Sequence, residues 1–301
     1  LGDVYKRQNE AKGKWLVGCE DRKNTINTFL QCCVFPRVVF SPSEALYCAK
    51  FVEKVHSIST PYFSTLQYCN LVISYLTKMV FSCTENEAAR LGIFLRETLR
   101  LLARWVGSEE VYAKECASVA GFSSNFNEPD GAKVSFEESA KLFRLWHRKL
   151  ATAFAHCLES KEYMEIRNAL CVMTKVVRWF PRDLRYAKEV KAKAEKIRDE
   201  DAREDLKTIA RSYLGVLEIE IRKMTPKPKP KPPAPPAEAV AAGKKAAEGR
   251  PDEEEEGEIQ EEGEIETPDK ARDAPAAKEQ PGPSKDPSPA CLLYTSPSQR
   301  D

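Results

Sequence analysis

The strongest constraint on the fold is a pair of helix-start signals, each followed by a long amphipathic segment. Thr84 is followed three residues later by Glu87, and Ser135 is followed three residues later by Glu138. In such a capping box the hydroxyl accepts a hydrogen bond from the amide of the acidic residue, and the carboxylate accepts one from the amide of the hydroxyl residue. We therefore predict that helices begin after Thr84 and after Ser135, the first of them running to about Val106.

The rest of residues 9–224 shows the same helical pattern. Cap residues, first-turn prolines and apolar spacings of three and four predict helices over residues 20–34 (ending before Pro36), from Ser41, from Thr60-Pro61 to about Phe81, from Ser108 to about Cys116, from Ser160 to Phe180, and twice more after Pro181. Residues 118–134 are rich in Gly, Asn, Ser and Pro, which predicts a loop. No stretch alternates convincingly with a period of two, so the sequence predicts an all-α fold.

The predicted helix after Thr84 is apolar on two faces. These faces consist of Leu91, Leu95, Leu99 and Leu102 on one side and of Phe94, Leu101 and Trp105 on the other. Such a helix has to be covered on both sides, which a stack of helix pairs achieves. We therefore predict an α-solenoid-like stack of helix pairs. Its repeat is expected to be structural, because no fixed-period sequence repeat is visible.

Composition divides the chain after residue 224. Residues 9–224 hold 34 Lys and Arg against 28 Asp and Glu, a net charge of +6, whereas residues 225–290 hold 10 against 16, a net charge of −6. The second segment contains 14 of the 20 prolines and almost no apolar residues, so it cannot offset the entropy lost on ordering. We predict a helical scaffold domain over 9–224 and a disordered Pro-rich and acidic tail over 225–290. No apolar run is long enough to span a membrane, so we predict no membrane partner.

Both ends of the chain are predicted to be foreign to the protein. Residues 3–8, DVYKRQ, and residues 291–296, CLLYTS, are translations of opposite strands of one short transposon-adapter DNA sequence. We therefore predict that residues 1–8 and 291–301 are adapter-derived scars. We also expect the native termini to lie outside this chain.

Residue types with catalytic or metal-binding chemistry do not form a recognisable site. Nine cysteines lie outside the adapter segments, contain no C-x-x-C pair and fall in apolar helical patterns, which predicts reduced thiols in the core. The three histidines lack a partner at the spacing of a helical metal site, and no phosphate-binding glycine loop or nucleophile motif is present. We predict no catalytic residue, no metal, no cofactor and no small-molecule substrate.

Three arginines form the charged feature that most suggests a binding site. Arg96, Arg100 and Arg104 are spaced by four residues and form one row on the predicted helix after Thr84. Like charges at this spacing repel unless an acidic group lies alongside. That group is either internal, which we favour, or part of an acidic partner such as a protein or an RNA backbone. The internal candidates are Glu97, Glu109 and Glu110. A second basic group, interleaved with acids and typical of a solvated face, consists of Lys188, Lys191, Lys193, Lys196 and Arg198.

Several segments are similar, in order, to one known helical region. They are CCVFPRVVFSPSEALYCAKFVEKVH at 32–56, SCTENEAARLGIFLRETLRLLARW at 82–105, YAKECASVAGF at 112–122, WHRKLATAFAHCLESKEYMEIRNALCVMTKVVRWFP at 146–181, and the charged helices that follow. Together they resemble the C-terminal helical region of the THO complex subunit 2 family. The resemblance covers about residues 26–224, and its motifs are structural rather than catalytic.

The resemblance implies a large non-enzymatic α-helical scaffold of a nuclear complex that couples transcription elongation to messenger RNA packaging and export. It implies that the partners are the other THO complex subunits and a DEAD-box RNA helicase. Family tails are typically basic and can bind nucleic acid, whereas the tail here is acidic, so the resemblance does not extend to RNA binding by these tail residues. Two alternatives stay open at this point: a helical module that binds RNA directly, and an unrelated helical-repeat adaptor.

Overall fold

The computed structural model of the chain describes residues 6–7, 10–19, 21–125 and 131–224. The predicted tail over 225–290 and the predicted adapter segment over 291–301 lie outside the described residues, as does most of the predicted segment over 1–8. All described residues belong to one unit.

Ten α-helices are present in the described part of the chain, mostly with short connections. They are α1 (Arg22–Phe29), α2 (Phe35–Val38), α3 (Pro42–Ser57), α4 (Thr65–Ser82), α5 (Glu85–Gly107), α6 (Glu109–Glu115), α7 (Phe136–Glu159), α8 (Tyr163–Val176), α9 (Leu184–Glu200) and α10 (Glu204–Met224). A π-helical segment, Leu30–Val34, joins α1 to α2. The described residues contain no β-strand, only an isolated β-bridge between Ser123 and Lys133, so the all-α prediction is confirmed.

Both predicted capping boxes are present. At the start of α5 the amide of Thr84 donates to Glu87 Oε2 at 2.8 Å, and the amide of Glu87 donates back to the Thr84 hydroxyl at 3.4 Å. At the start of α7 the amide of Ser135 donates to Glu138 Oε2 at 2.8 Å, and the returning bond measures 3.2 Å. These bonds connect residues three apart, which is why the sequence alone located both helix starts.

The first helical segment does not end before Pro36, as the sequence predicted, but continues to Val38. The π-helical turn over Leu30–Val34 interrupts the α-helical hydrogen-bond pattern, and Pro36 then lies in the first turn of α2. Proline is tolerated there because first-turn amides have no partner within the helix. The prediction treated Pro36 as a helix stop and missed the change of turn type before it.

The helix predicted from Thr60-Pro61 begins later, at Thr65. The Ser64 hydroxyl caps it by accepting from the amide of Gln67 at 3.1 Å. Thr60 instead closes the end of α3, because its hydroxyl donates to the carbonyl oxygen of Val55 at 2.9 Å. Thr60, which precedes Pro61, therefore makes a contact at the C-terminal end of α3 and does not begin a helix.

The helix predicted from Ser160 to Phe180 is also shorter than expected. It runs over Tyr163–Val176, and the Ser160 hydroxyl accepts from the amide of Glu162 at 3.0 Å, one turn before the helix. The amides of Trp179 and Phe180 then donate to the carbonyl oxygen of Val176. The chain therefore leaves the helix before the predicted stop at Pro181.

The helices pack in pairs. One helix of each pair lies in a first row, and the other helix lies in a second row. In one row α1, α4, α7 and α9 are successive neighbours, and in the other row α3, α5, α8 and α10 are successive neighbours. Contacts between α4 and α5, between α7 and α8, and between α9 and α10 join the rows. This arrangement is the predicted stack of helix pairs.

Helix α5 is covered on two sides, as its sequence requires. It packs against α3 on one side and against α8 on the other. Leu95 and Phe94, from the two apolar faces, are both fully buried, and Trp105 is 2% exposed. Among the described residues no helix is long and apolar enough to cross a membrane.

Candidate interaction surfaces

The arginine row predicted from the sequence lies on α5, where two of its members share one acid. Arg96 Nε donates to Glu97 Oε1 at 3.0 Å, and Arg100 Nε donates to Glu97 Oε2 at 2.9 Å. Arg100 Nη2 also lies 3.5 Å from Glu53 Oε2 on α3. An acid placed between two arginines relieves the repulsion that their spacing creates.

Arg104, the third member of the row, pairs with Glu115 at the end of α6. The same carboxylate accepts from Trp105 Nε1 at 3.2 Å. Glu109 and Glu110, which the sequence offered as candidate acids, are not partners of the row. The helix turn between α5 and α6 brings Glu115 back to the row, and sequence distance alone does not show this.

Glu97 remains ionised in this arrangement. Burial raises the pKa of Glu97, but the hydrogen bonds from Arg100 and Arg96 outweigh it and hold the pKa below its usual range. The Glu97 side chain is only 13% exposed, whereas Arg96 and Arg104 are 40% and 51% exposed. The pairing is therefore internal, and contact of the row with an acidic partner stays a prediction.

His56 connects the end of α3 to α4 and α6. A carbonyl oxygen only accepts, so His56 Nε2 must donate to the Glu115 carbonyl at 3.0 Å, and Nδ1 then accepts from the Thr65 hydroxyl at 2.9 Å. The ring lies 4.5 Å from the Trp105 ring, centroid to centroid. Burial lowers the pKa of His56 to about 4, although the Glu115 carbonyl opposes the shift. His56 is therefore neutral and structural.

The second predicted basic group, on α9, is largely neutralised by neighbouring acids. Lys193 Nζ lies 2.6 Å from Glu159, and Lys191 Nζ lies 3.2 Å from Glu218. Arg198 pairs with Asp199 at 2.7 Å. This group is the solvated, mixed-charge face that the sequence indicated.

Helix α7 carries a basic group that the sequence reading did not single out. Within KLFRLWHRK, residues 141–149, there are four Lys and Arg and no Asp or Glu. We call Lys141, Arg144, Arg148 and Lys149 the basic ridge; all four are exposed, and none belongs to an ion pair of the described residues. The sequence feature that indicates this group is that no acid occupies the i±3 and i±4 positions of Arg148.

Two grooves lie on either side of the basic ridge. The Tyr186 groove has a volume of about 440 Å³ between α7 and the start of α9, and its lining includes Arg144, Arg182 and Tyr186. The Phe81 groove has a volume of about 680 Å³ between α4 and α7, and its lining includes Lys78, Phe81 and His156. Arg148 lines both grooves, so they adjoin across the ridge.

His147 forms part of the lining of the Tyr186 groove but belongs to the core. Its ring lies 4.2 Å from the Phe143 ring and 5.5 Å from the Phe180 ring, centroid to centroid. Neither ring nitrogen has a hydrogen-bond partner. Burial, assisted by the charge of Arg182, lowers the pKa of His147 to about 4. A neutral imidazole therefore packs here as an aromatic ring.

An aromatic surface lies on α3 beside α1. It is formed by Phe29, Tyr47 and Phe51, with Arg37 at its edge. Tyr47 is 49% exposed and Phe51 is 38% exposed, and their rings stack with centroids 6.0 Å apart. The Arg37 guanidinium lies 4.9 Å above the Tyr47 ring, and a cavity of about 140 Å³ opens between these side chains. Large exposed aromatic rings are typical of protein interfaces.

The predicted burial of the cysteines is only partly confirmed, and their reduced state stays a prediction. The nine cysteines of the described residues are unbridged. Cys48, Cys69, Cys116 and Cys157 are buried, and burial raises the pKa of the Cys69 thiol to about 12. Cys32 and Cys33, however, are exposed because they lie in the π-helical turn, whose buried members are Leu30 and Val34. In the described part of the chain no group of three His, Cys, Asp or Glu could hold a metal ion.

A two-row stack of helix pairs defines a helical-repeat protein, and this one leaves an aromatic and a basic surface uncovered. The chain belongs to the Tho2 family, described as transcription factor/nuclear export subunit protein 2, whose pattern matches residues 2–217.

Relatives from plants, animals and fungi are similar over the same region. THO complex subunit 2 of Arabidopsis thaliana is 39% identical over 211 residues, covering 70% of this chain and 12% of the relative. The Homo sapiens protein of the same name is 38% identical over 232 residues, covering 74% and 15%. The Saccharomyces cerevisiae protein is 28% identical over 214 residues, covering 71% and 12%. The chain thus spans less than a sixth of the length of these curated relatives.

Proposed function

We propose that this chain is part of a non-enzymatic scaffold subunit of the THO complex, acting in the nucleus. In this role it couples transcription elongation to the assembly of messenger ribonucleoprotein and to nuclear mRNA export, through contacts with proteins. Its partners are other THO complex subunits and a DEAD-box RNA helicase. Membership of the Tho2 family supports this proposal and argues against the alternative of an unrelated helical-repeat adaptor.

The aromatic surface on α3 is the observation that carries the proposal. Exposing Tyr47 and Phe51 to water has no benefit for the fold of this domain, since both rings lie outside its core. Aromatic rings with an adjacent arginine are enriched in protein interfaces because they bury a large area with few rotatable bonds. We propose that another THO complex subunit covers this surface.

A reconstitution with purified components tests the proposal. The double variant Tyr47→Ser and Phe51→Ser is compared with the unmodified chain for binding to the purified THO subunits and, separately, to the purified helicase. If the surface is an interface, affinity for one THO subunit should fall at least ten-fold, because hot-spot aromatics typically contribute about 2 kcal/mol or more each. All components are free of RNA, so this result is independent of nucleic-acid binding.

The matched control replaces two exposed apolar residues on α10, Val216→Ser and Ile219→Ser, which are 36% and 53% exposed. This control should bind as the unmodified chain does. Equal binding by the α3 variant and the control, with both folded, would contradict the assignment of the interface to α3. Failure of the unmodified chain to bind any THO subunit would contradict the scaffold proposal itself.

A further inference from the structure

The basic ridge on α7 is a concentration of positive charge in which Arg144, Arg148 and Lys149 form no ion pair with any described residue. The nearest acids on α7 itself are Glu137 and Glu138, and the carboxylate of Glu138 accepts from the amide and the hydroxyl of Ser135. Asp183, at the start of α9, is bound by Arg185 at 3.0 Å. Glu138 also interacts electrostatically with Lys141, and Asp183 lines the Tyr186 groove, so both acids weaken the positive charge near that end of the ridge, whereas the side chains of Arg144 and Arg148 are exposed to solvent.

The spacing along α7 orders these charges in a line. Lys141, Arg144 and Arg148 are separated by three and four residues, so they lie on one side of the helix. From Lys141 to Lys149 the helix rises about 12 Å. Arginine presents several N–H donors in one plane, which suits the two free oxygens of a phosphodiester.

Each groove beside the ridge contains an aromatic ring that is partly exposed. Tyr186 lies in one groove, and Phe81 lies in the other, where its ring contacts His156 with centroids 5.7 Å apart. Arg182 and Lys78 add a positive charge to each groove. A line of cations flanked by aromatic grooves is the arrangement that binds single-stranded nucleic acid, with phosphates on the cations and bases against the rings.

We propose that the basic ridge and its two grooves bind single-stranded RNA. The proposed function in nuclear mRNA export, on which this choice of occupant rests, favours RNA over single-stranded DNA. Acidic peptide is less well suited, because acidic side chains carry no aromatic ring to stack on Tyr186 and Phe81. Duplex RNA is less well suited, because its bases are stacked inside the helix and do not reach the grooves. This proposal is separate from the scaffold contacts on α3.

The test measures affinity for a fluorescent uridine-rich RNA as a function of salt, using the 301-residue chain and the variant Lys141→Gln, Arg144→Gln and Arg148→Gln. Each phosphate contact on a single strand contributes about −0.7 to the slope of log affinity against log salt. Removing three contacts should therefore make the slope shallower by about 2. Between about 50 and 200 mM salt the unmodified chain should lose about twenty-fold more affinity than the variant.

The matched control removes one lysine and two arginines elsewhere on the surface, one on α6 and two on α10: Lys114→Gln, Arg211→Gln and Arg222→Gln, all exposed. It should keep the slope and the affinity of the unmodified chain. Equal salt slopes for the ridge variant and this control would overturn the proposal, and so would a control that loses as much affinity as the ridge variant. If circular dichroism shows that the triple ridge variant is unfolded, Arg148→Gln alone should change the slope by about 0.7, and an unchanged slope would then overturn the proposal.

Competition experiments distinguish the occupants. Single-stranded RNA should displace the probe better than duplex RNA, single-stranded DNA or poly-glutamate of the same charge. Tyr186→Leu should weaken RNA binding several-fold while leaving poly-glutamate binding unchanged, because only RNA stacks on the ring. Displacement by poly-glutamate as efficient as by RNA would identify an acidic protein as the occupant, and preference for the duplex or for single-stranded DNA would likewise contradict the assignment.

Discussion

At the residue scale, charge alone did not mark a free surface on this protein. The arginines at 96, 100 and 104 form a clear row in the sequence, yet Glu97, Glu53 and Glu115 pair with them. On α7, Arg144, Arg148 and Lys149 form no ion pair within the described residues, whereas Lys141 lies three residues after Glu138. Ion pairing depends on which helices are neighbours, and this distinguishes the arginine row from the basic ridge.

Replacing the arginine row with glutamine should lower thermal stability. In the variant Arg96→Gln, Arg100→Gln and Arg104→Gln, the half-buried Glu97 and Glu115 lose their partners. Since exposed pairs are worth at most about 1 kcal/mol each, we expect a loss of about 1–2 kcal/mol and a melting temperature lower by about 2–8 °C. Binding to the purified helicase and to RNA should be unaltered.

The control for this variant is Arg178→Gln, Arg211→Gln and Arg222→Gln, which removes three exposed arginines outside the row. It should change the melting temperature by less than the row variant does. Unchanged stability together with weaker, less salt-dependent binding would mean that the row meets an acidic partner instead, as the alternative prediction states.

Two buried histidines should make the domain sensitive to mild acid. His56 and His147 have a pKa of about 4 in the folded chain, against an ordinary value of 6.5. The unfolded chain therefore takes up protons that the folded chain does not, and stability falls as pH decreases from about 6.5 to about 4. Each histidine contributes up to about 3 kcal/mol over this whole range, of which about 2 kcal/mol is lost between about pH 7 and pH 5, and denaturant titrations at these two pH values measure that part.

His147→Leu should remove part of this pH dependence without loss of stability at neutral pH. The ring nitrogens of His147 have no partners, so an apolar side chain breaks no hydrogen bond. Thr152→Ser, at an exposed position of α7 without a titratable group, is the control and should leave the dependence on pH unchanged. A pH dependence that is identical in His147→Leu and in the unmodified chain would contradict this account.

At the element scale, the packing of α5 against α8 depends on a glycine that the sequence does not distinguish. A Cβ atom at Gly92 would lie 3.3 Å from the Cα atom of Val172 and 3.0 Å from Cγ of Lys175. The backbone of α8 lies close to Gly92 and cannot move away without separating α5 from α8. Gly215 on α10 has nothing within 4 Å of the same position.

Gly92→Val should therefore destabilise the domain, whereas Gly215→Val should not. Overpacking of a tight helix contact costs about 1–3 kcal/mol, which outweighs the small gain in helix propensity when valine replaces glycine. At Gly215 the new side chain meets no other atom, so only the gain in helix propensity remains. Chemical denaturation of the two variants measures the difference, and equal stabilities would show that α5 and α8 pack less closely than the structure indicates.

At the scale of the whole molecule, the two-row stack makes each helix pair dependent on its neighbours. The last pair, α9 and α10, covers α7 and α8 and contributes buried residues that include Val190, Ala194, Tyr213 and Leu217. Removing an end pair of a helical stack uncovers apolar surface of the pair before it. The charged outer faces of α9 and α10 suit a position at the end of the described stack.

A chain that ends at residue 182 should therefore lose stability and solubility. We expect a lower melting temperature and association visible by size-exclusion chromatography, because the faces of α7 and α8 that contact the last pair become exposed. A chain that ends at residue 224 is the control and should melt as the full chain does, since residues 225–301 are predicted to add no core. Equal melting of both truncated chains would contradict the dependence between pairs.

The sequence by itself determined what depends on residues close together in the chain. The capping boxes at Thr84 and Ser135, the helical spacing of apolar residues and the two apolar faces of α5 fixed the all-α stack, because their physical causes act within one or two turns. The similarity of ordered segments indicated the family in the same way. Where two local signals competed, as at Thr60 and Ser64, the prediction chose the wrong helix start, because Thr60 closes the preceding helix.

Only the tertiary structure decided which charged and aromatic side chains are free to bind a partner. Glu53 and Glu115 reach the arginine row from α3 and α6, whereas no acid among the described residues forms an ion pair with Arg144 or Arg148 on α7. Ion pairing and exposure depend on distance in space, which the order of helices in the two rows sets and which local sequence spacing does not encode. For that reason the sequence indicated a scaffold, whereas the basic ridge and the aromatic surface emerged only when the helices were packed.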